Sequence, residues 1–196
     1  MTSRRRRGGY RSSRPSSAEI PEVLDALGWP PPLIRGVTLL GTRVSVAVSV
    51  DLDAHLWRLE SDCAYPILDP DDLKIFEWPV GKAASPPTAV AVVGAISHEG
   101  HLTRDRLTNA RKWRGFGATA VVVDIHEKPT PDLMMECAYA GIAVVQHDHE
   151  EAVNLLLAGQ EGRLQTARRT LTDRWIEEQL YGRLLAEGRL PDALLV

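Results

Sequence analysis

The chain has 196 residues and a formal net charge of -3, with 44% apolar and 25% charged residues. That is the composition of a folded chain with enough apolar material for its own core, and no run of about 18 apolar residues offers a membrane span. Residues 1–14 hold six arginines and no acid, which leaves 17 Lys and Arg against 26 Asp and Glu in the rest, and so acidic a body excludes a broad DNA-binding face.

Residues 1–18 are Arg, Gly, Ser and Pro with one Tyr, too few apolar groups to offset the entropy of ordering. They are expected to be a disordered basic leader, read either as a solvated tail or as a weak contact to nucleic acid or polyphosphate. No apolar stretch follows them, so no signal peptide is expected. Cys63 and Cys137 fit no metal spacing and ask for no oxidising compartment; Cys137, in "LMMECAYAG", reads as a small buried hydrophobe. The expected location is the cytoplasm.

In "SSAEIPEVLDALGW", Ile20, Val23, Leu24 and Leu27 recur at helical spacing, with Ser17 as the cap and Gly28 and Pro30 to Pro32 as the stop. Next, Val44, Val46, Val48, Val50 and Leu52 alternate with small or polar residues, the period of a half-buried strand, and Gly41-Thr42 marks a hairpin or bulge before it. "LDPDDLKIFEW" starts a short helix, with Asp69 capping and Pro70 in its first turn. "GKAASPPT" is a linker.

From residue 89 the pattern alternates. Apolar runs "AVAVVGAI", "ATAVVVDI" and "IAVVQ" are separated by helices in 103–117 and 130–141, and "HEEAVNLLLAG" reads as the start of a further helix. Strands apolar on both faces between helices indicate a parallel sheet covered on both sides. In the tail, roughly 163–187, Leu164, Ala167, Leu171, Trp175, Leu180 and Leu184 form one stripe. It serves either a second copy or protein partner, or the chain's own domain. The expected fold class is α/β: a parallel three-strand βαβαβ unit with an N-terminal β element and a C-terminal long helix. The expected divisions are a leader over 1–18, an α/β domain over 19–160 and a helical tail over 161–196.

Ligands of parallel α/β sheets bind outside the carboxyl ends of the strands. Here the three runs end in His98 and Glu99, in Asp124 and His126, and in Gln146, His147, Asp148 and His149. With His101, five of the six histidines fall at this edge. Imidazole and carboxylate together suit a metal ion, general acid–base work or a polar ligand, and polar loop ends are also what solvent demands. His98, Glu99, Asp124, His126, His147, Asp148 and His149 are the candidate ligand-binding residues. No motif assigns catalytic residues, a metal or a cofactor: there is no P-loop, no G-x-S-x-G elbow and no HExxH. A nuclease core would need an acid on one strand and Glu-x-Lys on the next; Asp51, Asp53 and Glu77 are available acids, but Glu77 and Lys82 are wrongly spaced and Lys82 falls in the linker.

The order of parts in "ARKWRGFGATAVVVDIHEKPTPDLMMECAYAGIAVVQHDHEEAVNLLL" resembles the N-terminal sensor domain of PucR-type purine-catabolism regulators. Ala110, Gly117, Ala118, the strand over 119–125, Pro129 or Pro131, Ala138 and Gly141-Ile142 carry the likeness. The opening "EVLDALGWPPPLIRGVTLLGTRVSVAVSV" and "IEEQLYGRLLAEGRLPDALL" are similar to the family's first helix and strand and to the helix after its sensor. The resemblance implies a ligand-binding or dimerising domain in transcription regulation rather than an enzyme. Full members continue into a helix-turn-helix, for which this chain has no room, so the expectation is a stand-alone sensor module that does not itself read DNA. It would bind a small molecule or a protein partner, as a homodimer through the C-terminal helix, away from any membrane. The alternative is a metal-dependent hydrolase or nuclease-like enzyme using the His/Asp cluster.

Overall fold

Six strands form one mixed sheet whose spatial order follows the chain, in a computed structural model that describes residues 21–74, 85–98, 100–147 and 153–190. Helix α1 (Pro21–Leu27) stops at Gly28, whose φ of 66° is the left-handed conformation that ends helices. Strands β1 (Leu33–Leu39) and β2 (Thr42–Val50) are joined by Leu40 and Gly41, both at positive φ, a two-residue turn whose twist matches the strands. Val50 ends β2. Leu52, expected in that strand, instead begins α2 (Leu52–Glu60), because the Asp51 side chain accepts the Ala54 N–H and caps a helix there. Asp69 accepts the N–H groups of Asp71 and Asp72 and starts α3 (Pro70–Lys74).

Strand β3 (Val90–His98) leads to α4 (Arg104–Arg111), capped by Thr103 and run on into a 3-10 turn over Lys112–Gly115. Strand β4 (Ala118–Asp124), α5 (Pro131–Ala140) and β5 (Ala143–His147) follow, with Thr130 capping α5 and Gly141 closing it at φ 65°. The segment read as a further helix is instead β6 (Val153–Leu157), antiparallel to β5. A five-residue apolar run is too short to tell a strand from a helix, and here the open edge of β5 supplies ladder partners. Helix α6 (Leu171–Ala186) begins eight residues later than the stripe suggested, at a Thr170–Asp173 capping box.

The β3·β4 and β4·β5 pairs are parallel, while β1·β2, β2·β3 and β5·β6 are antiparallel. The parallel pairs are therefore the middle of a larger sheet, continuous with the N-terminal hairpin, and not a sheet of their own. One face packs on α1 through Val23, Leu24, Ile96, Ala120 and Val145. Trp29 lies so close over Gly94 that a Cβ there would sit 2.5 Å from the ring. The opposite face is covered in two parts. Over β4 and β5, α4 and α5 bury Leu107, Ala110 and Cys137. Cys137 is fully buried, and desolvation pushes its thiol up to about 11. Over β1 to β3, α6 buries Ile176, Leu180, Tyr181 and Leu184. Leu180 and Leu184 of the tail stripe thus pack on the domain's own sheet, with Trp175 partly buried against it, while Leu164 is exposed.

Helix α6 also carries a buried charge network. Arg58 of α2 and Glu178 are both almost fully buried and form a two-pronged pair at 2.9 and 3.0 Å. The remaining Arg58 donors reach the carbonyls of Cys63 and Tyr65, and its guanidinium stacks 4.4 Å from the Tyr181 ring centroid. Glu178 also accepts the Ile67 N–H and pairs with Arg174 at 2.8 Å. This network fastens the loop after α2 to α6. At the preceding position, Glu177 is paired with Arg169 and neighbours Arg174, Asp173 and Glu178. Burial outweighs both arginines and raises its carboxyl from 4.5 to about 7.

Replacing Glu178 with Ala should destabilise the fold by about 3–5 kcal/mol, because it strands a buried guanidinium, while the double change Arg58→Met, Glu178→Leu should cost much less; urea unfolding of the three proteins measures both. The raised Glu177 carboxyl means that its share of stability is full below pH 4.5 and is lost as pH rises through about 7. Glu177→Gln should therefore flatten the fall in Tm across that window, and thermal melts at pH 5 and pH 8 check it.

Candidate functional site

The carboxyl ends of the parallel strands hold the residues singled out by the sequence. Across β3 and β4, His98 stands opposite Val122; across β4 and β5, Asp124 stands opposite His147. Asp124 and His126 are exposed, and His98 and His147 are half-buried. Glu99, Asp148 and His149 lie outside the described residues. The contacts here tie loop to loop. Asp124 Oδ1 accepts the His126 N–H at 2.8 Å, the Ile125 N–H donates to the His147 carbonyl at 3.0 Å, and the Asp124 N–H donates to the Gly100 carbonyl at 3.3 Å. Gln146 Nε2 donates to the Glu127 carbonyl, and Glu127 Oε2 meets His101 Nδ1 at 2.5 Å. His147 Nε2 is buried with no hydrogen-bond partner among the described residues. Among those residues no three of His, Cys, Asp and Glu form a group able to hold a metal ion. Among the described residues, the edge sets Asp124 opposite His147 and joins His101 to Glu127.

A cavity of about 530 Å³ lies beside it, between the tip of the β1–β2 hairpin, the end of β3, and α4 with its 3-10 turn. Of the candidate residues, His98 lines it, and Asp124, His126 and His147 do not. Its wall takes Ser45 from β2, Ser97 from β3 and Thr119 from β4, exposed by only 4%, 5% and 2%. Register sets Thr119 directly opposite Ala95, so two adjacent strands supply neighbouring wall positions. Thr119 Oγ1 is buried with no hydrogen-bond partner among the described residues.

The frame is held by Trp113, which is 1% exposed and lines the cavity from the 3-10 turn. Its indole N–H donates to Thr42 Oγ1 at 2.9 Å, and the Thr42 hydroxyl donates to the Leu39 carbonyl at 3.2 Å. Val44, Ala95 and Ala110 add apolar wall. Asn109 lines it too, its Oδ1 accepting from Lys112 Nζ at 2.8 Å. At the hairpin side stand the exposed Arg35 and Arg43. The Arg43 guanidinium lies along the backbone at Gly36, where a Cβ would be 3.1 Å from Nη2. Glycine is required there on a second ground, its φ of 61° in the bulge between Ile34 and Val37.

Sequence reasoning passed over Ser45, Thr119, Arg43 and Trp113. The signal was present: "AVVGAIS" and "ATAVVV" are apolar on both faces of their strands except for Ser97 and Thr119, and a hydroxyl in such a run needs a partner.

The chain matches no family model, no curated protein and no solved structure. Among the described residues no helix is long and apolar enough to cross a membrane.

Proposed function

We propose that this chain is a ligand-binding regulatory module, of the kind its resemblance to PucR-type sensor domains implies, and that the cavity between the hairpin and α4 holds a small polar molecule. The observation that carries this reading is Thr119. Its Oγ1 is buried in the cavity wall without a partner among the described residues, and such a group costs about 1–3 kcal/mol unless something bonds to it. The hydroxyl is closed off in the ligand-free chain, so a ligand atom offsets that cost by shifting the wall to reach it. The volume, about 530 Å³, falls within the range of small-molecule sites, and the mixture of apolar wall with a few buried hydroxyls is their usual chemistry.

Hydroxyls, guanidinium groups, one amide and one imidazole line the cavity, groups suited to holding a polar molecule. A route outward also exists. Gly36 lines the cavity, and its carbonyl accepts from Arg183 of α6 at 3.4 Å. A ligand that shifts the bulge would thus be felt by α6, the last described helix.

Thr119→Val keeps the shape and removes the hydroxyl. It should stabilise the ligand-free protein by about 1 kcal/mol, a rise in Tm of roughly 2–4 °C. Amide shift mapping with a set of neutral, anionic and cationic aromatic fragments should place the hits on residues 42–45, 95–98 and 109–119 of the native chain, and weaken them in Thr119→Val. Hits confined to 124–127 and 147, or none, would contradict the reading.

A further inference from the structure

We infer that the cavity selects a small organic anion, a carboxylate or phosphate carried on a compact and partly apolar body. This rests on the reading of the cavity as a ligand site and adds the charge of the ligand to it. The wall contains Arg35, Arg43 and His98 and, among the described residues, no Asp or Glu. Beyond its basic leader the chain is acidic, 17 Lys and Arg against 26 Asp and Glu, so a wall of this composition runs against the background.

Arg43 sharpens the point. Arg58, Arg104, Arg111, Arg163, Arg169, Arg174, Arg183 and Arg189 each meet a carboxylate, and Arg114 is bonded to carbonyls of Ala140, Gly117, Gln160 and Gly162. No carboxylate of a described residue pairs with Arg43 or Arg168, and of these two Arg43 sits at the cavity, against Gly36. A guanidinium there presents a planar fork suited to two anion oxygens. Inorganic phosphate alone would leave most of the volume and the Val44, Ala95, Ala110 and Trp113 wall unfilled, so the charge is carried on an organic body.

Four probes of similar size separate the terms: phenyl phosphate, benzoate, neutral benzamide and cationic benzamidine, titrated calorimetrically into the full chain at constant ionic strength. At least one anion should bind about ten-fold or more tightly than benzamide, and benzamidine should not bind. Whichever anion is tighter identifies phosphate or carboxylate as the preferred group. Arg43→Gln, an exposed change expected to leave the melting curve in place, should erase most of the preference while leaving benzamide affinity unchanged. Added NaCl should weaken the anions alone. Equal binding of benzamide and the anions, or full anion affinity in Arg43→Gln, would overturn the selectivity and leave the ligand site standing. Failure of all four probes would overturn both.

Discussion

The hydrogen bond from the Trp113 indole to Thr42 is the constraint on which the arrangement turns. It joins the end of α4, which belongs to the parallel part of the sheet, to the first residue of β2, in the antiparallel hairpin. Trp113 is a large side chain in the main core, in edge contact with Phe116 at 6.0 Å between centroids. A buried tryptophan of this kind accounts for roughly 3–5 kcal/mol against alanine. Its position is therefore not negotiable, and the space between hairpin and helix is set by it. Thr42, satisfied on one side by the indole and on the other by the Leu39 carbonyl, passes that constraint to the turn.

The charge network of α6 works on the same half of the sheet from farther away. Packing by Ile176, Leu180, Tyr181 and Leu184 holds the helix over β1 to β3, and that contact is non-directional. The Arg58–Glu178 pair adds direction, because a guanidinium with donors to Glu178, Cys63 and Tyr65 fits only one placement of the loop after α2. Arg114 does the same for the other half, collecting carbonyls from the end of α5 and from the segment after β6. Two buried arginines thus pin the irregular segments, and the regular elements between them frame the cavity.

Much of this is legible in the residues. Thr103, Thr130, Asp69 and Gly141 announce their helix ends because capping is local chemistry, and the structure uses each of them. Leu52 misleads because its side chain continues the strand alternation while Asp51, one residue earlier, has already capped a helix. Val153 to Leu157 mislead because a short apolar run takes its form from the partner available, and the partner is a sheet edge. The strand ends were legible as a polar edge, of which Glu99, Asp148 and His149 lie outside the described residues. Register decides which residues meet: it sets Asp124 opposite His147 and His98 opposite Val122. The cavity itself depends on the antiparallel β2·β3 pair, a long-range contact with no local signature.

Together these parts make the proposed module, a frame that leaves a space lined in part by arginines, with α6 attached to its rim through Gly36. The most direct test follows the Trp113 indole N–H resonance during titration with phenyl phosphate. The account predicts that this signal shifts and saturates with the ligand while the other indoles stay in place. Movement of the Asp124, His126 and His147 amides with the Trp113 indole unmoved would contradict it and return the site to the strand ends.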